Sequence, residues 1–287
     1  MHEIVKHYRH NKALRDSFNA LAEATFGLNF ESWYQNGFWG DDYDPYSVVI
    51  DGKVVANVSL NRVDMVICGQ RKRIYQLGTV MTAPEYRNRG LIRSIMAQIE
   101  EDTRDADGVY LFANDSVLDF YPKFGFRKEK EYVYSKEVCQ AGPCHMENIP
   151  MDGAAGWARL SEAMAENTFA PACYMAENPG LVFFYVSQFM QSCVYRDSET
   201  GAFVVAELED GELVLHNVFS AAPVCLDAII TAFGSEVNRV TLGFTPADTA
   251  GYTCREHHEE DCTFFVKGEA FQRFANAKLR IPTLSHA

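Results

Sequence analysis

Between residues 73 and 104 the chain changes its hydrophobic period once, and the change falls on a short basic turn. Residues 73–82 carry the β-branched and aromatic content of a strand, and Pro84, which cannot donate to a ladder, ends it. From Ile92 the apolar residues recur as Ile92, Ile95, Met96 and Ile99, with Arg93, Gln98, Glu100 and Glu101 between them, the repeat of a helix with one packed face. The turn between is Arg87-Asn88-Arg89-Gly90. A helix start offers unpaired N–H groups and the positive end of the macrodipole, and Gly90 lets a ligand approach the backbone. Arg87, Arg89 and Arg93 add formal charge, so the unit is built to hold an anion, phosphate above all.

A second buried-type strand follows at 108–113, ending in Asn114-Asp115, and then comes Phe120-Tyr121-Pro122-Lys123-Phe124-Gly125-Phe126. The order is strand, phosphate turn, helix, strand, tyrosine, Gly-aromatic. In this order the chain resembles the GNAT acyltransferase superfamily, whose acetyl-CoA motif is Arg/Gln-x-x-Gly-x-Gly/Ala; Arg87 and Gly90 match it, and Ile92 departs from its small third residue. The Arg-Gly-Leu-Ile turn is most similar to the enhanced-intracellular-survival (Eis-type) acetyltransferases, which join a catalytic GNAT domain to a degenerate one. The motif resemblance covers roughly residues 1–138.

The resemblance implies an α/β fold on a mixed sheet, and direct transfer of an acetyl group from acetyl-CoA, as co-substrate, to the primary amine of a small molecule. It implies that pantetheine lies along the strand edge at Val80, Met81 and Thr82, with the pyrophosphate on Arg87, Asn88, Arg89, Gly90, Leu91, Ile92 and Arg93. Asn114 and Asp115 would border the thiol end, and Tyr121 is the candidate general acid, a phenol that stays protonated at neutral pH until it meets the departing thiolate. The aromatic and acidic stretch Trp33, Phe38, Trp39, Asp41, Asp42 and Asp44 suits a cationic acceptor, with rings for cation–π contact and carboxylates for charge. No general base is legible: Tyr75, Gln76 and Thr79 occupy the cleft positions of the strand, leaving Glu23, Asp41, Asp42 or Asp44 through water, or an amine that needs no strong base. The alternative from another class is an acyl-CoA-binding sensor without an acceptor site.

The rest of the chain repeats the first part. Helices over 10–25 and 30–38 precede a hairpin at Asp51-Gly52 (48–50 with 53–58) and a second at Gly69-Gln70 (63–68 with 73–82), then a helix over 90–104, the 108–113 strand, a short helix over 116–121 and a strand over 127–138. A soft boundary at Gln140-Ala141-Gly142-Pro143 separates a catalytic unit, 1–140, from a second, 147–287. There, helices over 154–168 and 177–190 precede a hairpin at Asp210-Gly211, a helix over 223–233 and strands over 237–244 and 263–267. Ser220-Ala221-Ala222-Pro223 stands where the first copy has its basic turn, so the second copy is expected to bind no CoA and to wall the acceptor cleft.

Charge is uneven: residues 1–146 hold 18 Lys and Arg against 20 Asp and Glu, and residues 147–287 hold 8 against 19, for a net charge of −13. That balance argues against nucleic acid as a partner and favours cations. No apolar run reaches membrane-spanning length and the first residues are polar, so a cytoplasmic location without membrane contact is expected. The eight scattered cysteines read as reduced thiols, most of them core residues. Cys254, His257, His258 and Cys262 are ligand types without a repeated metal spacing in what reads as an exposed polar loop, and no metal is expected. Oligomeric state is not legible.

Overall fold

The computed structural model describes residues 3–139 and 142–286; Gln140 and Ala141, part of the expected linker, lie outside them. The first half runs β1 (Ile4–Val5), α1 (Lys12–Phe26), α2 (Glu31–Gln35), β2 (Tyr43–Ile50), β3 (Lys53–Arg62), β4 (Met65–Ile67), β5 (Gln70–Lys72), β6 (Ile74–Thr82), α3 (Leu91–Asp102), β7 (Gly108–Ala113), β8 (Arg127–Lys128) and β9 (Glu131–Glu137). The second continues with β10 (Met146–Asn148), α4 (Ala154–Ala165), β11 (Cys173–Met175), α5 (Pro179–Gln188), β12 (Val194–Asp197), β13 (Phe203–Glu209), β14 (Glu212–Phe219), α6 (Leu226–Thr231), β15 (Arg239–Leu242), β16 (Thr253–His257) and β17 (Thr263–Gly268). Among the described residues no helix is long and apolar enough to cross a membrane.

Two seven-stranded sheets carry the fold, in the orders β1-β2-β3-β6-β7-β17-β8 and β10-β12-β13-β14-β15-β9-β16. Each has the same sense: β3–β6 and β13–β14 are antiparallel, β6–β7 and β14–β15 parallel. The duplication read from the sequence is thus visible as two copies of one mixed α/β sheet. The sixth strands, however, are exchanged. The expected strand over 127–138 breaks after Lys128; β8 stays in the first sheet while β9 pairs with β15 and β16 in the second. In return β17, read as a strand of the second copy, lies between β7 and β8. Its alternation fits that slot: Phe264 and Val266 face one core with Tyr110, and Phe265 faces the other with Leu111.

Three further readings are corrected. The Gly69 turn joins β4 to β5, which with β11 form a separate three-stranded sheet, while β6 pairs with β3. The stretch read as an exposed loop contains β16, held to β9 from Thr253 to His257. All eight cysteines are free, but only Cys173 is buried.

The first sheet is covered on both faces. α3 packs Leu91, Ile95 and Ile99 against Val48, Val58, Leu60 and Leu111, the stripe its periodicity demands. On the other face α1, started by the Asn11 side chain and stopped at Gly27 (φ 70°), packs Phe18 and Ala22 with Trp33, Tyr43, Leu181 and Phe184. α5 thereby brings second-half residues into the first-half core. Asn178 fixes it: its amide donates to Asn61 Oδ1 at 2.9 Å and to the Arg62 carbonyl at 2.8 Å, and its Oδ1 caps Leu181 N.

Candidate active site

β6 carries one residue more than β3 between the pairs Ser59↔Gly78 and Asn57↔Met81, and the bulge puts Thr79 at a φ of 43°. A β-branched residue in that region is strained and persists only when its surroundings over-determine it. A buried polar chain does so. Tyr43 OH and Ser59 Oγ lie 2.8 and 2.6 Å from Thr79 Oγ1, and Asn57 Nδ2 donates at 3.0 Å to both Ser59 Oγ and the Thr79 carbonyl. Ser47 and Tyr8 extend the chain behind Asn57.

The bulge has a consequence for the neighbouring strand. The parallel pairing of β6 with β7 stops at Leu77 and Leu111, although the strands run on to Thr82 and Ala113. The gap between them opens into a cavity of about 1400 Å³, lined by Gly78 to Thr82 on one side and Phe112 and Asn114 on the other.

The basic turn closes one end of that cavity. Asn88 (φ 61°) and Gly90 (φ 75°) both take left-handed backbone, and α3 starts at Leu91 with no side-chain cap. Its first N–H groups therefore face an open site. A side chain at Gly90 would meet no protein atom within 4 Å, so glycine answers to the backbone angle and to whatever approaches it. Arg89 is pinned by a 2.7 Å bond to the Glu85 carbonyl and lies 4.9 Å from the Tyr86 ring centroid; Arg87 Nε reaches the Thr82 carbonyl at 3.3 Å. Arg87, Asn88, Arg89, Gly90, Leu91, Ile92 and Arg93 all line the cavity, as do Val80, Met81 and Thr82.

Tyr121 lines the same space from beyond β7, its ring packed on Phe120, Phe126 and Phe265. Among the described residues nothing hydrogen-bonds its hydroxyl, whereas Tyr8, Tyr43, Tyr46, Tyr110 and Tyr185 are all bonded. Burial pushes its pKa up to about 12. Asn114 borders the cavity, but Asp115 is turned away: its N–H is bonded to Asp261 and its carboxylate to Thr263.

The far end of the cavity is aromatic. Phe30, Trp33 and Tyr43 come from the first half, and Leu181, Phe184 and Tyr185 come from α5. Trp33 is fixed by Nε1 on the Gly180 carbonyl at 2.8 Å. The other residues of its stretch lie elsewhere. Phe38 stacks on Phe183 at 4.2 Å, Trp39 is core with Nε1 on the Tyr43 carbonyl, and neither lines the cavity. Asp41 pairs with Arg9 at the surface, Asp44 binds the His7 main chain and imidazole, and Asp42 stands outside the lining as well. Glu23 is exposed on α1.

Several residues that shape the site were not singled out from the sequence: Asn57, Ser59 and Ser47, buried behind the bulge and outside the lining, and the α5 aromatics and His286, which line the cavity. The first group carries a readable signal, polar residues inside apolar strands; the others are brought in from 100 or more positions away. His286 stacks on Phe112 with ring centroids 3.8 Å apart, and its carbonyl accepts the Tyr185 hydroxyl at 2.6 Å. Burial, then Arg280 and His257, hold its imidazole down to about 3. Burial likewise raises the Cys262 thiol and the Tyr43 hydroxyl to about 12. Among the described residues the formal charges lining the cavity at neutral pH are thus those of its arginines.

In the second sheet the equivalent bulge falls at His216 on β14, and the opening beside it is filled by the chain's own tail, with Thr283 N on the Gly243 carbonyl at 2.9 Å. His257 stands in β16 and Cys262 at the first-half cavity, and among the described residues no group of three or more His, Cys, Asp or Glu is placed to hold a metal ion.

Residues 9–128 match the family model described as an acetyltransferase (GNAT) domain. No curated protein sequence matches the chain. Among solved structures it is similar to a conserved protein of unknown function from Enterococcus faecalis V583, at 15% identity and a TM-score of 0.62 over 96% of this chain and 74% of that one. It is also similar to Eis1 from Mycobacterium abscessus, at 12% and 0.54 over 97% and 76%, and to a GCN5-related N-acetyltransferase from Kribbella flavida, at 17% and 0.53 over 92% and 72%. At identities this low the likeness is one of fold alone, and it extends across nearly the whole chain.

Proposed function

We propose that this chain, which carries a GNAT acetyltransferase domain over residues 9–128, moves an acetyl group from acetyl-CoA directly to the primary amine of a small molecule. One observation supports this most: a single cavity joins the turn at Arg87 to Arg93, the splayed edge at Gly78 to Thr82 and the unpartnered hydroxyl of Tyr121. The α3 N-terminus and the arginines suit the pyrophosphate. The edge of β6 at Val80, Met81 and Thr82 suits a pantetheine arm bound as an added strand, with main-chain N–H groups for the thioester oxygen. The amine nitrogen attacks the thioester carbon, the C–S bond breaks, and the sulfur leaves as a thiolate toward the Tyr121 hydroxyl, which donates its proton. The amine's proton is lost to solvent, since no side chain of the described lining is a base of neutral pKa, and the Tyr121 phenolate takes a proton back from solvent.

In this reading residues 1–140 are the catalytic unit and 147–287 a degenerate copy that binds no CoA, with β9 and β17 exchanged between them. The free thiols fit a reducing, cytoplasmic compartment. The test is acetyl-CoA turnover against a panel of primary amines, read by thiol release. Amine-dependent release that Tyr121→Phe lowers is expected; no release with any amine while acetyl-CoA still binds would leave a sensor.

A further inference from the structure

We propose that the acceptor carries its amine on an aromatic or branched apolar body and brings one amino group, not several. The inference rests on the acetyltransferase reading and names the acceptor class of that same site.

Three observations carry it. First, the charged side chains lining the cavity are Arg87, Arg89 and Arg93, all at the turn, and among the described residues no Asp or Glu side chain lines it. The acidic side chains of the described residues therefore lie outside the site, and each extra ammonium of a polycation entering there would be desolvated without one of them as counter-charge. Second, the end away from the turn is walled by rings, Trp33, Tyr43, Phe112, Phe184 and Tyr185 among them. Rings can hold one ammonium by cation–π contact and an apolar body by burial. Third, the exposed large hydrophobics of the described chain are Phe26 (41%), Val117 (38%) and Phe189 (57%), and all three line this cavity. Exposed apolar groups that all border one cavity mark a place where apolar surface is covered. Size agrees: one small-molecule site occupies roughly 300–1,000 Å³, and about 1400 Å³ leaves room for an acceptor beside the cofactor.

The test measures kcat/KM at saturating acetyl-CoA for 2-phenylethylamine and tryptamine against ethylamine, spermidine and kanamycin. The aromatic amines are expected to exceed the others by at least about tenfold; a higher value for spermidine or kanamycin overturns the proposal. Phe189→Ala, a change at an exposed rim, is expected to raise KM for tryptamine several-fold while KM for acetyl-CoA holds, and an unchanged tryptamine KM counts against it. Octanoyl-CoA with ethylamine outperforming acetyl-CoA with tryptamine would make the aromatic end an acyl channel and overturn it too. Calorimetry of tryptamine and spermidine on the CoA-saturated protein separates the two levels of inference. Absent turnover sinks the enzymatic reading, whereas tighter binding of spermidine than of tryptamine sinks the acceptor class.

Discussion

The carboxylate of Asp261 holds the end of β7 from the other half of the molecule, taking the main-chain N–H of Asp115 and the side-chain amide of Asn114, each at 2.6 Å. Those two bonds hold the carboxyl below its usual range. Because Asn114 borders the cavity, a residue of the second half positions the wall of a site built mostly by the first. Asp261→Ala is expected to raise KM for acetyl-CoA several-fold with a smaller change in kcat, and Asp261→Asn, which keeps an acceptor oxygen, to recover part of it. Steady-state kinetics with both variants check this; equal, unchanged KM values would show that the clasp does not bear on the cofactor.

Tyr121 is expected to act as a donor over the whole working range of pH. Its hydroxyl is raised to about 12, so it is protonated far above neutrality and still holds its proton when the departing thiolate arrives. Tyr121→Phe should lower kcat by about 10²–10⁴ with acetyl-CoA affinity intact. In the unsubstituted enzyme kcat/KM should rise with pH toward the pKa of the acceptor amine and show no alkaline fall below about 11. A descending limb between pH 8 and 9 would count against the assignment.

Gly90 tests the anion site. An L-residue in left-handed backbone costs about 1–2 kcal/mol, so Gly90→Ala should lose stability modestly, since its Cβ meets no protein atom within 4 Å. Gly90→Glu adds a negative charge beside Arg87, Arg89 and the α3 N-terminus. The loss of even one charge-assisted contact, about 1.5–3 kcal/mol, corresponds to roughly 10- to 150-fold weaker acetyl-CoA binding by calorimetry. Wild-type affinity in the Glu variant would remove the phosphate from this turn.

What could be read without coordinates follows from how local each feature is. Gly90, the Ile92–Ile99 stripe and the hairpin at Asp51-Gly52, where both residues take positive φ (51° and 75°), are fixed by neighbours in sequence and stand where the pattern puts them. The exchange of β9 and β17 was not readable, because Phe264 and Phe265 alternate in the same way whichever sheet accepts them. Within the aromatic stretch, ring against charge says nothing of which side chain turns inward: Trp33 faces the cavity, whereas Trp39 packs on it within the same core, Phe38 stacks on Phe183 and Asp41 faces Arg9. The bulge at Thr79 is a long-range product of Asn57, Ser59 and Tyr43 together.

Glu131 should make stability fall as pH rises. It is buried at the start of β9, where its carboxylate accepts the Ile281 N–H at 2.8 Å, and burial pushes its pKa from 4.5 up to about 7. A carboxyl raised in the folded state contributes fully below pH 4.5 and loses that contribution as pH climbs through about 7, a change of about 3 kcal/mol. Glu131→Gln, which keeps an acceptor and cannot ionise, should match the parent near pH 5 and exceed it at pH 8 in urea unfolding. Parallel profiles would refute the raised pKa.

Residues 1–140 alone should not fold, although they contain the whole cofactor motif. Without β17 the first sheet loses the strand between β7 and β8, and with it Phe264, Phe265 and Val266, all of them buried. At about 1.5–3 kcal/mol for each such side chain, the deficit is roughly 5–9 kcal/mol, comparable to the whole stability of an ordinary domain, about 5–15 kcal/mol. The gap would also expose the unpaired edge of β7, a template for aggregation. The fragment is expected to lack a cooperative thermal transition and to bind no acetyl-CoA. Co-expression with residues 141–287, which supply β17 and receive β9, should restore both. A fragment 1–140 that melts cooperatively and binds acetyl-CoA would show that the exchanged strand is dispensable.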